Sequence, residues 1–413
     1  MISTLPVIDE RKPRIRDGAD LWHVHQGTPC FECASCSDRP NCGGLAVGRA
    51  VMGCTDLCTC ADPSKCDNVC TRNPAQFVAR LREVRGFELD NVAHARPVRT
   101  PSLPAIIPTF MHGKRRSSAI PLPAVAVPLH RMFYARSGHL RFLTRGDLEA
   151  AYKVSPRYLI LDGVAEDRHL ENYWAAARSE AFAEAVRVLR PDLITVPNFS
   201  LFTDVPRWDN LYNMKRIAIC WHELQAAGNA VALHVNARTE RDYERWGAFL
   251  REHREIDWIA FEFATGAAAV ERGVWHVRQL TALLDKARRP LGIVIRGGRQ
   301  HLARLRRSYR NVTFVSADPF MKTIKRRRLR MIGVRDRWIP TMTFLEQPLD
   351  DLLADNISVF ERLLLLATSG LSNGVRRHTI QRAVNVAPLG SDLAPIFPMS
   401  ARPELAPAVA TAD

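Results

Sequence analysis

From residue 97 onward the chain alternates between two hydrophobic patterns. Short apolar runs rich in β-branched residues recur at 103–110, 122–129, 158–161, 192–196, 230–235, 258–263, 291–295 and 312–315. Between the later runs lie longer stretches at 170–189, 211–227, 240–253, 275–287 and 301–309, in which apolar residues return every three or four positions. A strand buried on both faces shows little polar alternation, and connections of ten or more residues suit crossover helices between parallel strands. The pattern therefore predicts an α/β protein with a buried parallel sheet.

Eight strands over roughly 220 residues match the length of a (β/α)8 barrel. That TIM-like arrangement is favoured over an open doubly wound sheet, whose nucleotide-binding versions carry a Gly-x-Gly-x-x-Gly or Walker loop that no strand here precedes. The expected organisation is an N-terminal stretch at 1–29, a small Cys-rich module at 30–95, the barrel at 96–345 and a helical segment at 346–389. Within this, 343–368 reads as one long helix. The Ala- and Pro-rich tail at 390–413 reads as disordered.

Cysteine usage divides the chain. Nine of the ten cysteines fall in the order Cys30-x2-Cys33-x2-Cys36-x5-Cys42 and Cys54-x3-Cys58-x-Cys60-x5-Cys66-x3-Cys70. So many soft donors in a segment too short to fold alone point to a metal staple, either zinc or an iron-sulfur cluster. The C-x2-C-x2-C opening resembles that of bacterial ferredoxin-type motifs, although the Cys-Pro ending is missing; zinc suits the second half. The first twenty residues hold no apolar signal segment, and no run of about 18 apolar residues marks a membrane span. A cytoplasmic protein is expected, in which disulfides are disfavoured.

The charge adds a partner class. Lys and Arg number 58 against 43 Asp and Glu, a formal net charge of +15, and guanidinium groups suit phosphate. Nucleic acid is the expected partner. The densest basic run, at 322–330, reads either as a solvated helix face or, because it follows the last strand, as a phosphate-steering element that includes Lys322, Arg326, Arg327 and Arg328.

Catalytic groups in barrels sit at the carboxyl ends of strands. That rule selects Ser200, Asp204 and Asn210 after the fourth run, His234 and Asn236 at the fifth, Glu262 at the sixth, Arg296 with Gly297-Gly298 at the seventh, and Asp318 after the eighth. Asp204, Glu262 and Asp318 are the candidate acid, base or nucleophile; the others are candidate substrate contacts. Asp162-Gly163 reads as a plain turn.

The segment Pro197-Asn198-Phe199-Ser200-Leu201-Phe202-Thr203-Asp204-Val205-Pro206, with Asn213, Lys215 and Arg216 behind it, resembles an uncharacterised phage and plasmid family, the domain of unknown function numbered four-four-one-seven. The resemblance covers about residues 190–300. Asn198 stands where that family has Asp, and an amide cannot serve as a general base. The succession of Asn236, Glu262, Arg296-Gly-Gly and Asp318 on successive strands is similar in layout to tRNA-guanine transglycosylase-type barrels, which implies base exchange by strand-end carboxylates beside a metal-stapled insert. In those enzymes the cysteines follow the barrel strands, whereas here they precede them. The resulting expectation is a metal-containing barrel acting on nucleic acid, with a base-modifying, transglycosylase-like transferase as its specific form. The alternatives are a non-catalytic nucleic-acid-binding accessory protein and an iron-sulfur oxidoreductase.

Overall fold

All eight apolar runs form strands, and every one of them pairs in parallel with its neighbours. In the computed structural model the described residues are 80 and 83–368, apart from 203–206, 266, 269, 333–334 and 345. The cysteine module at 30–70, Asp204 and the tail lie outside them. In chain order the elements are β1 (Ile106–Pro108), β2 (Ile120–Pro128), α1 (Arg145–Tyr152), β3 (Val154–Asp162), α2 (Asp167–Asn172), α3 (Glu180–Ala185), β4 (Leu193–Thr195) and α4 (Arg207–Ala226). There follow β5 (Val231–His234), α5 (Glu240–Glu252), β6 (Trp258–Glu262), α6 (Val270–Ala287), β7 (Gly292–Arg296), α7 (Leu302–Ser308) and β8 (Asn311–Ser316). After the last barrel strand come α8 (Asp318–Ile324), β9 (Arg327–Ile332), β10 (Arg335–Pro340) and α9 (Asp350–Thr368).

The strands follow one another around a ring. β8 returns to pair with β1, and the circuit is completed between β1 and β2 by a single parallel bridge, Thr109 with Ala126, where the Phe110 N–H donates to the Ala126 carbonyl at 2.8 Å. This is a nearly closed α/β barrel of the (β/α)8 type, with no helix in the connection from β1 to β2. Side chains alternate between its two surfaces with a period of two. Val125, Leu159, Leu161, Ile194, Leu233, Ile259, Ile293 and Phe314 face outward into the core shared with the helices, while Ile107, Ala124, Ala126, Ile160, Leu193, Ala232, Trp258, Ala260, Val294 and Val315 form a separate inner cluster.

The inner cluster is assembled by size. Alanines at 124, 126, 230, 232 and 260 leave room for the one indole, Trp258, which is 1% exposed. Gly292, its partner on β7, completes the fit, since a Cβ there would lie 2.5 Å from the indole ring. Dense filling of this kind makes the barrel interior a packed core.

Three helical expectations change. The stretch at 170–189 is interrupted, because α2 runs into a π turn at Tyr173–Ala177 and Ser179, in extended conformation, caps α3 by accepting from the Phe182 N–H. A serine that offers an alternative hydrogen bond favours a cap over a helix interior. α9 begins at Asp350, after Pro348, seven residues later than the pattern suggested. Only the start of the basic run is helical; from Arg327 it is the first strand of an antiparallel hairpin.

The segment before β1 is fastened to α4. Lys215, 2% exposed, donates to the Glu88 carbonyl and the Asn91 side chain, and burial brings its pKa down to about 8. Glu83 accepts from the Trp174 indole and the Tyr212 hydroxyl, both at 2.6 Å.

Candidate active site at the barrel mouth

The alternation that buries alanines lower down turns polar groups inward at the carboxyl ends of the strands. Thr109, Asp162, Thr195, His234, Glu262 and Arg296 continue the inward-facing series of β1 and β3 to β7. Arg296 reaches from β7 to β3, on the opposite side of the ring, where its Nη1 donates to Asp162 Oδ2 at 2.7 Å. Asp162 also accepts from Thr195 Oγ1 at 3.3 Å and from the Val164 N–H at 3.2 Å. Asp162 is thus not a bare turn residue. It is the 4% exposed anchor of an ion pair that spans the mouth.

His234 lies beside this pair. It is 2% exposed and neither ring nitrogen has a hydrogen-bond partner. Burial, helped by the positive charge of Arg296, pushes its pKa down to about 3, so the ring is neutral at physiological pH. A neutral imidazole carries one donor and one acceptor. Leaving both unused in a buried site costs roughly 1–3 kcal/mol per group, so they ask for a ligand or water.

The cleft above them is lined by Asn198, Ser200, His234, Asn236, Arg238, Phe261, Glu262 and Thr265. Asn198 Oδ1 is a further buried acceptor without a partner. Glu262 accepts from the Ala264 N–H at 2.6 Å and the Thr265 hydroxyl at 2.5 Å, which fixes its orientation. Arg238 donates from Nε to the Leu201 carbonyl at 2.8 Å. On another part of the rim His130 and His169 stack at 4.3 Å, and burial, with His169 and Arg131 adding to it, lowers the His130 pKa to about 4.

The residues selected from sequence divide accordingly. Ser200, His234, Asn236 and Glu262 meet in the cleft, and Arg296 lies next to it. Ser200 Oγ donates to Asp167 at 2.6 Å, and Asn236 Nδ2 donates to the Phe199 carbonyl at 2.9 Å. Asn210 is a loop clamp: its side chain bonds both the N–H and the carbonyl of Phe202, at 2.9 and 2.6 Å. Asn213 holds the Ser200 carbonyl at 2.7 Å, and Arg216 pairs with Glu171 while lying 3.9 Å from the Phe199 ring centre. These residues shape the loop that carries Asn198 and Ser200. Asp318 is exposed in the first turn of α8 and does not line the cleft.

Lys322 is half-buried on α8, Arg326 donates to the Phe344 carbonyl at 2.9 Å, and Arg327 is exposed. Arg328 and Arg330 share Asp355, at 3.0 and 3.2 Å. Hairpin register puts Arg330 directly opposite Arg337 and Ile332 opposite Arg335, so Arg328, Arg330, Arg335 and Arg337 occupy one face, away from the buried Leu329. An Arg299–Asp336 ion pair at 2.5 Å ties this ribbon to the loop after β7 at the mouth.

Sequence reasoning missed Asp162, Thr195 and Arg238. The signal for the first two was available: a polar residue in phase with inward-facing apolar positions at a strand end. No helix among the described residues is long and apolar enough to cross a membrane. Neither family models nor curated proteins gave a match to this sequence.

Proposed function

We propose that the chain is a barrel enzyme that works at its C-terminal mouth on a base of a nucleic-acid strand. The observation that carries this reading is the set of buried polar atoms without partners, Asn198 Oδ1 and both nitrogens of His234, opening into one cleft with Glu262. Together they offer two acceptors and one donor, which complements the edge of a heterocycle that presents two N–H groups and one carbonyl. Glu262, already oriented by two donors, is the carboxylate of the cleft that would act as acid, base or nucleophile at the sugar–base bond. The four arginines on one face of the β9–β10 ribbon supply the phosphate contacts, and the like charges of Arg330 and Arg337 across from each other favour an anionic partner. On this reading the nine cysteines hold zinc or an iron-sulfur cluster as a staple.

The experiment is incubation of the full chain with DNA and RNA oligonucleotides and free bases, followed by mass spectrometry of the nucleosides. Glu262→Gln is expected to lower conversion by about 10²–10⁴-fold while oligonucleotide affinity survives. Arg330→Glu with Arg337→Glu is expected to weaken binding and to reduce its salt dependence by about one unit of slope per charge removed. Binding without any product, insensitive to Glu262→Gln, would instead identify an accessory binding protein.

A further inference from the structure

On the opposite, N-terminal face of the barrel three side chains from separate segments converge. His94 comes from the segment before β1, His253 caps the end of α5, and Glu255 stands in the turn that leads to β6. Their ligand atoms all lie within 4.8 Å of one another. His253 is 1% exposed and Glu255 7%, whereas His94 is 59% exposed. The rings of His94 and His253 stack with centres 4.4 Å apart.

Both Nδ1 atoms face the same carboxylate oxygen. Glu255 Oε1 is 3.1 Å from His94 Nδ1, 3.0 Å from His253 Nδ1 and 3.1 Å from the Ala95 N–H. Three donors then compete for an oxygen with two lone pairs. A cation bound to Nδ1 of both rings, each in the tautomer that carries its proton on Nε2, removes the competition. An ion about 2.1 Å from two donors spaced 3.0–3.1 Å apart subtends an angle of about 95°, within reach of zinc-type coordination. Rotation of the exposed His94 side chain would bring its nitrogen within the same reach.

The surrounding backbone is held in place independently. Arg289 donates to the carbonyls of Leu250, His253 and Ile256 at 2.7–3.0 Å, and Gln225 donates to those of Arg96 and Glu255 at 3.2 Å. Trp221 packs edge-on against the His253 ring at 5.2 Å. Supporting contacts of this kind fix ligand orientation.

We infer that His94, His253 and Glu255 form a binding site for a divalent zinc-type ion, with water as the remaining ligand, which staples the segment entering the barrel to its N-terminal face. The site is made of described residues alone and does not rest on the proposed activity.

The test is metal analysis of the full chain and its cobalt-substituted form. Glu255→Gln and His94→Ala are each expected to lose about one zinc per chain relative to wild type. The cobalt forms should lose the weaker d–d bands of a nitrogen- and oxygen-ligated ion, while any sulfur-to-cobalt charge-transfer bands, which would come from the cysteines, should stay. His94→Cys is expected to retain the ion and add a sulfur band. Equal metal content and equal cobalt spectra in wild type and His94→Ala would overturn the site, as would a folded His94→Cys with no added band. Because His94 is exposed, its substitution leaves the core intact and decides the matter even if Glu255→Gln fails to fold.

Discussion

The two ends of the barrel interior are built from the same strands and the same two-residue alternation, yet they are opposites in chemistry. At the lower end Ala124, Ala126, Ala232, Ala260 and Trp258 fill the space, and the buried Thr313 hydroxyl, in phase with Val315, is satisfied by donating to the Pro104 carbonyl at 3.1 Å. At the mouth the same inward series becomes Asp162, Thr195, His234, Glu262 and Arg296. One end gains stability by burying apolar surface; the other holds groups that burial penalises. Such a layer is what the proposed chemistry at the mouth would use, and burial at the packed end offsets its cost.

Four changes break or sharpen that contrast. Trp258→Ala empties the packed end and should cost about 3–5 kcal/mol, read as a shift in denaturation midpoint with little change in slope. Asp162→Asn leaves the Arg296 charge at the mouth without its counterion; since Arg296 is partly exposed, about 1–3 kcal/mol is expected, and Arg296→Gln in the same chain should recover part of it. Gly292→Ala pushes a methyl into the Trp258 ring and should cost about 1–2 kcal/mol, a penalty that shrinks in a Trp258→Leu background when measured as a double-mutant cycle.

The fourth concerns pH. His234 has a folded pKa of about 3 against an ordinary 6.5, so only the unfolded chain takes up its proton between those values. Its contribution is complete above about pH 6.5 and is lost as pH falls toward 3, at up to about 1.4 kcal/mol per pH unit. His276, also near 3, and His130, near 4, act in the same direction. His234→Asn should flatten this acid slope in thermal melts; a slope unchanged from wild type would show that the mouth layer is not the source.

The strands were legible because a parallel sheet covered on both faces needs unbroken apolar runs, and each run from 103–110 to 312–315 carries one. The β9–β10 hairpin was not, since arginine recurs at Arg326, Arg327, Arg328 and Arg330 and only Leu329 is buried, leaving no alternation to read. α1 was missed for a related reason: its buried residues are only Leu148 and Tyr152, and its definition comes from the capping box of Thr144 and Asp147. At the site, the strand-end rule found His234, Asn236 and Glu262 but passed over Asp162, because Asp-Gly also marks turns. Asn210 shows the converse. Its position suggested a substrate contact, but two bonds to the Phe202 backbone use its amide to hold the loop.

The barrel closes between β1 and β2 through one bridge, whereas β6 and β7 are joined along five residue pairs. The joints β3–β4 and β4–β5 hold two pairs each, so the ring is fastened most lightly at β1–β2, on the side where Thr109 brings an unsatisfied hydroxyl to the interior. The backbone amides at that clasp should therefore exchange with solvent before those of the β6–β7 seam.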